Sequence, residues 1–169
     1  MARLVLLRHA KSAYPTDVPD YRRPLSDRGR RDAPVAGERV RALLGDPDLV
    51  LVSGAARTRE TWELARAAWP HPPHTAFDDR IYEASVDELL LLLREVDSAR
   101  SDVVVIGHNP GIEELAFTIS DGQGDAAAIT AMGTKFPTSA MAMFDIEYPW
   151  AHLAAERARL STFEVARGQ

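Results

Sequence analysis

The chain has 169 residues, 46% hydrophobic and 27% charged, which is enough for one domain with a buried core. Its 20 Lys and Arg against 25 Asp and Glu leave a formal net charge of −5, and this disfavours a nucleic-acid binder, whose affinity needs a basic face. The lack of cysteine excludes disulfides, thiolate metal sites and thiol catalysis, and no apolar run reaches the ~20 residues of a membrane span.

Leu4–Leu7 is a short apolar run ending abruptly in Arg8 and His9, as expected of a strand buried on both faces. The same run is too short for the apolar region of a signal peptide, so a cytoplasmic protein is expected. Ser26 is a fitting N-cap for a helix that stops at Gly45, and Pro34 must either kink that helix or begin a second one. Leu49–Val52 is the next strand, followed by a helical pattern with Thr58, Trp62, Ala65 and Trp69 near one face and a stop at Pro70. That spacing makes the two tryptophans packing residues. His71-Pro-Pro-His74 reads as a rigid surface turn, and no metal site is expected there or elsewhere.

Ser85-x-x-Glu88 is a capping box opening another helix, Val103–Ile106 a third buried strand, and Asn109-Pro110 an N-cap and first helical residue. Asp121–Thr138 is read as a long loop with room for one short helix, and Ser139–Glu147 and Ala158–Ala166 as more alternating strands toward a sheet edge. Strands alternating with helices predict an α/β fold: a single domain over residues 1–169, a three-layer sandwich with a largely parallel central sheet and helices on both faces.

In such sheets ligands bind beyond the carboxyl ends of the strands. Reading those ends gives Arg8 and His9, then Ser53-Gly54 with Arg57 in the following turn, then His108 and Asn109. Two arginines and two histidines on one rim repel one another unless an anion sits among them, and a phosphoryl group fits best. The helix start at Arg57 adds backbone N–H donors.

The blocks "LLRHAKS", "RRPLSDRG", "VSGAARTRET" and "IGHNPG", in that order, resemble the signature of the histidine phosphatase superfamily, closest to its small SixA-like phosphohistidine phosphatase branch. The resemblance runs from Leu4 to about Glu147. It implies a metal-independent phosphatase with no cofactor, with His9 as nucleophile and Arg8, Arg57 and His108 as its phosphate pocket. In that role His9 attacks as a neutral ring, with neighbouring cations lowering its pKa and a backbone carbonyl fixing its tautomer. A general acid is needed for poor leaving groups. Glu83 stands where the superfamily often places one, and Asp17 and Asp20 are rivals. Lys11, Arg22 and Arg23 extend the positive rim for a larger substrate, or are plain solvated charges. The short connection between the first two blocks leaves no room for a large lid, which points to phosphohistidine in a protein substrate. A small phosphate ester is the alternative, and nucleic acid and membrane are not expected partners. Two other classes stay open: a non-catalytic phosphate-binding domain, and a nucleotide-binding turn at "GHNPG", weakened by the absence of any P-loop or G-x-G-x-x-G pattern.

Overall fold

Continuous apolar runs become the middle of the sheet because both of their faces are covered. In the computed structural model, which describes every residue from Met1 to Gln169, the strands are β1 (Ala2–Arg8), β2 (Leu49–Val52), β3 (Thr75–Phe77), β4 (Asp102–Gly107), β5 (Ala140–Ile146) and β6 (Arg159–Val165). They form one six-stranded sheet in the order β3-β2-β4-β1-β5-β6. The pairs β2–β3, β2–β4 and β1–β4 are parallel, whereas β5 runs against both β1 and β6. The sheet is therefore mixed, with β5 alone reversed.

Alternation along the three central strands sorts the core into two layers. Leu4 and Leu6, Leu49 and Leu51, and Val103 and Val105 face one side, with α3 (Val86–Arg94), α4 (Gly111–Ile119) and α5 (Ala126–Thr134). Val5 and Leu7, Val50 and Val52, and Val104 and Ile106 face the other, with α1 (Asp27–Leu44) and α2 (Ala56–Ala65). The expected α/β sandwich is what forms. Trp62 and Trp69 pack in the second layer, each 3% exposed, as their spacing predicts.

Helix boundaries follow local chemistry. The Ser26 hydroxyl accepts from Gly29 N, and Ser85 and Glu88 complete their capping box. Pro34 lies inside one uninterrupted helix, so it does not begin a second one. The α4 start differs from expectation: the helix begins at Gly111 with Pro110 in the cap position and no side-chain cap. Asn109 Nδ2 donates instead to the Phe136 carbonyl at 3.0 Å and to Glu113 Oε2 at 3.3 Å. The segment after Asp121 holds the single short helix anticipated, α5, capped by Asp125. Strand β3, three residues long and directly after the Pro-rich turn, has no counterpart in the sequence reading.

Candidate active site

Because β1, β2 and β4 are parallel, their carboxyl ends meet on one rim, where a cleft of about 450 Å³ opens. Arg8, His9, Arg57 and His108 all line it. His9 extends the β1–β4 ladder by one bond, its N donating to the Gly107 carbonyl at 3.0 Å. From the other side Ser139 N donates to the carbonyls of Arg8 and His9, at 3.2 and 3.1 Å. His9 is thus mounted on hydrogen-bonded backbone at a strand end rather than on a free loop.

The His9 ring has one possible tautomer when neutral. Its Nδ1 lies 2.7 Å from the Ala10 carbonyl oxygen, which only accepts, so Nδ1 carries the proton and Nε2 keeps a free lone pair. This is the backbone carbonyl anticipated, supplied by the adjacent residue. Arg57 Nε donates to that Nε2 at 3.3 Å. Burial, followed by His108, Arg57 and Arg8, pushes His9 down to about 3, against the opposing Ala10 bond. The cations expected to neutralise the ring do contribute, but loss of water is the larger cause.

His108 sits with its ring centroid 5.3 Å from that of His9, and its Nε2 is 2.7 Å from Ser53 Oγ. Burial first, then Arg57, pushes it down to about 3 as well. Its Nδ1 is buried without a partner, and so is Arg8 Nε. Side chains alternate along β1, so Arg8 projects opposite to Leu7, and its NH1 donates to the Phe136 carbonyl at 3.0 Å. Two guanidiniums on one cleft favour an anion.

The rim is more varied. Lys11 and Glu83 line the cleft, both exposed, and Glu83 makes no ion pair there. Arg22 is exposed and outside the cleft lining; of this adjacent pair it is Arg23, held by Ser12 and Ala13, that lines the cleft. Asp17 is also outside, whereas Asp20 lines it. Asp20 accepts from Tyr82 OH at 2.5 Å, Arg23 Nε at 3.0 Å and Arg57 NH2 at 3.1 Å. Tyr82, then the arginines, hold the Asp20 carboxyl down at about 2, a carboxylate at neutral pH and a poor proton donor. Tyr82 and Ser53 were not foreseen as site residues. Ser53 carried one usable signal, its place beside Gly54 at a strand end, and Tyr82 carried none beyond preceding Glu83.

Residues 4–116 match the sequence profile of the histidine phosphatase superfamily (branch 1). An uncharacterized protein of Mycobacterium tuberculosis is 37% identical over 162 residues, covering 95% of this chain and 100% of that one. The protein assigned as phosphohistidine phosphatase SixA in Nakamurella multipartitia superposes with a TM-score of 0.85 at 30% identity, covering 98% of this chain and 96% of that one. Its counterpart in Agrobacterium tumefaciens gives 0.77 at 28% identity, covering 97% and 98%. With two imidazoles and two guanidiniums lining one cleft at the strand ends, and that profile across most of its length, the chain belongs to the histidine phosphatase superfamily, on its SixA-like side.

Proposed function

We propose that this protein is a metal-independent phosphatase that forms a covalent phosphohistidine on His9 Nε2 and acts on phosphohistidine in a protein substrate. The carrying observation is the unprotonated, buried Nε2, its tautomer fixed by the Ala10 carbonyl, with Arg57 Nε 3.3 Å away. In the first step that lone pair attacks phosphorus and the bond from phosphorus to the leaving group breaks, its electron pair staying with the leaving atom. Arg8, Arg57 and the His108 Nδ1 edge take the charge spread over the three equatorial oxygens. Glu83 gives its proton to the leaving atom. Glu83 then takes a proton from water, the resulting hydroxide equivalent attacks phosphorus, the P–Nε2 bond breaks, and inorganic phosphate leaves with His9 neutral again.

Glu83 suits the acid role better than Asp20 because Asp20 is already bonded by two guanidiniums and a phenol. Glu83 also has φ +56, a sparsely populated conformation for a non-glycine residue, at the cleft edge. The loop from Ala13 to Pro24 is closed at its base by a Ser12–Leu25 bridge and carries no inserted lid, so a side chain projecting from another protein can reach His9. The two structural relatives assigned as phosphohistidine phosphatases support the same substrate class. The reading puts the enzyme in the cytoplasm, and no helix is long and apolar enough to cross a membrane.

The test is to offer a ³²P-phosphohistidine protein and a series of aryl phosphates, with and without chelator, and to quench in alkaline detergent, since the P–N bond is acid-labile. Label on His9, release of phosphate unaffected by chelator and a higher kcat/KM for the phosphohistidine protein are expected. A higher value for the esters would make this a small-ester phosphatase, and binding without label would make it a phosphate-binding domain.

A further inference from the structure

Arg57 can serve His9 only if its guanidinium is held with the right edge inward, and a three-carbon stem does not supply that. Its two outer nitrogens both go to one residue. NH1 donates to the Asp20 carbonyl oxygen at 2.8 Å and NH2 to Asp20 Oδ2 at 3.1 Å, while Nε faces His9 Nε2 at 3.3 Å. We propose that Asp20 is a positioning residue that clamps the outer edge of Arg57 and thereby aims its Nε edge at the reacting phosphoryl group. The assignment rests on the phosphatase reading above.

Asp20 is itself held from two directions. Its Oδ2 also accepts from Tyr82 OH at 2.5 Å and its Oδ1 from Arg23 Nε at 3.0 Å. The turn that carries it, Asp20–Arg22, is strapped to the Asp79–Ile81 turn by Tyr21 OH donating to Asp79 Oδ1 at 2.6 Å. The Tyr21 and Tyr82 rings meet edge to face, centroids 5.0 Å apart, and the Tyr82 edge also meets His108. Residue 54 must be glycine for this strap to close: a β-carbon there would collide with the Asp79 carboxylate and the Tyr21 hydroxyl. A tie between loops 62 residues apart in sequence therefore ends on the guanidinium of the candidate site.

Stability does not account for the arrangement. The Asp20 side chain is 51% exposed, and ion pairs so exposed contribute little. Electrostatics alone does not account for it either, since a carboxylate beside a phosphoryl pocket repels the substrate. Its benefit is geometric: two carboxylate oxygens and a carbonyl accept from four donors in fixed directions. An asparagine at this position would turn one acceptor into a donor facing donors.

The experiment compares wild type, Asp20→Asn and Tyr82→Phe with aryl phosphates of graded leaving-group basicity, vanadate inhibition and melting temperature. Asp20→Asn should lower kcat/KM by about 10- to 100-fold, equally across the series, because a misaimed group penalises every substrate alike. Vanadate, which adopts the geometry of the transferring phosphoryl group, should bind more weakly by a similar factor, with melting unchanged. Tyr82→Phe should show the same pattern, smaller. A loss that grows with leaving-group basicity would make Asp20 a proton donor and overturn the proposal. So would lost melting temperature with unchanged vanadate binding, or no change at all. Alkaline-quench labelling of wild type separates the layers: label on His9 with an unaffected Asp20→Asn sinks the positioning role alone, and no label in wild type sinks the phosphatase reading and the Asp20 role together.

Discussion

His9, Arg57 and His108 on the floor of the cleft are 6%, 6% and 8% exposed, whereas Lys11, Tyr14, Asp20 and Glu83 on its rim face water. The His9 end of the floor hangs from backbone. His9 is fixed by Gly107, Ala10 and Ser139, and Ala10 N is tied to Thr61 Oγ1, which in turn donates to the Arg57 carbonyl. The rim hangs from side chains, with Arg23 stacked on the Tyr14 ring at 4.1 Å and Tyr82 reaching Asp20. Backbone bonds survive substitution and exposed side-chain ties do not. The floor therefore suits the invariant part of the chemistry, and the rim suits whatever must differ among substrates.

Removing floor groups should have the largest effects. His9→Asn should abolish turnover and alkaline-stable labelling while the circular dichroism spectrum is kept. Residual turnover near that of wild type would mean that the covalent step lies elsewhere. Arg57→Ala comes next. By analogy with lost oxyanion donors it should cost about 10²- to 10³-fold in kcat, read by steady-state hydrolysis of an aryl phosphate. A loss confined to KM would instead make Arg57 a docking group and erase the distinction between floor and rim.

The same division governs what was legible in the sequence. The floor could be read because each member follows a short apolar run: Leu4–Leu7 before Arg8 and His9, Leu49–Val52 before the turn that carries Arg57, Val103–Ile106 before His108. Runs buried on both faces announce themselves, and parallel pairing puts their ends together. Strand β3 escaped because an edge strand of three residues needs only the backbone of β2, not a pattern of its own. Asn109 was read as a cap from local grammar, but the Phe136 carbonyl, 27 residues away, draws its side chain off. The rim is tertiary in the same sense. Nothing near Arg22 and Arg23 says which of them lines the cleft; Ser12 Oγ and the Ala13 carbonyl, accepting from Arg23 NH1, fix that. The cations around His9 were visible, whereas the burial that outweighs them required the packed fold.

Substitution of the rim acid should show selectivity where a floor substitution, or one at Asp20 acting through Arg57, shows none. Glu83→Gln is expected to slow aryl and alkyl phosphates with basic leaving groups by about 100-fold, the low end for a general acid, because nearby water can partly replace an exposed donor. Esters with acidic leaving groups should be nearly unaffected. A phosphoramidate nitrogen is easily protonated, so phosphohistidine should lie close to the unaffected class. The measurement is the slope of log kcat/KM against leaving-group pKa for the two proteins, and parallel lines would remove Glu83 from the acid role.

The smallest effect separates floor from rim without any substrate. His9 and His108 are held at about 3 in the fold, against about 6.5 for an unfolded histidine. Between those values the unfolded chain binds protons that the native floor refuses, so their contribution is fully present above pH 6.5 and is lost as pH falls toward 3. The rim carboxylate acts lower. Asp20 is held at about 2, so its contribution persists above the ordinary aspartate range and is lost as pH falls through about 2. Urea unfolding between pH 6 and 5 therefore separates the floor histidines from Asp20. Each histidine should add up to ~1.4 kcal/mol of lost stability per pH unit there, and His9→Asn should remove its share of that slope. Asp20→Asn should leave the slope in this window unchanged. Equal slopes in wild type and His9→Asn would mean that the His9 ring accepts a proton inside the fold, and a floor that admits protons so readily would not keep the lone pair on Nε2 free for phosphorus.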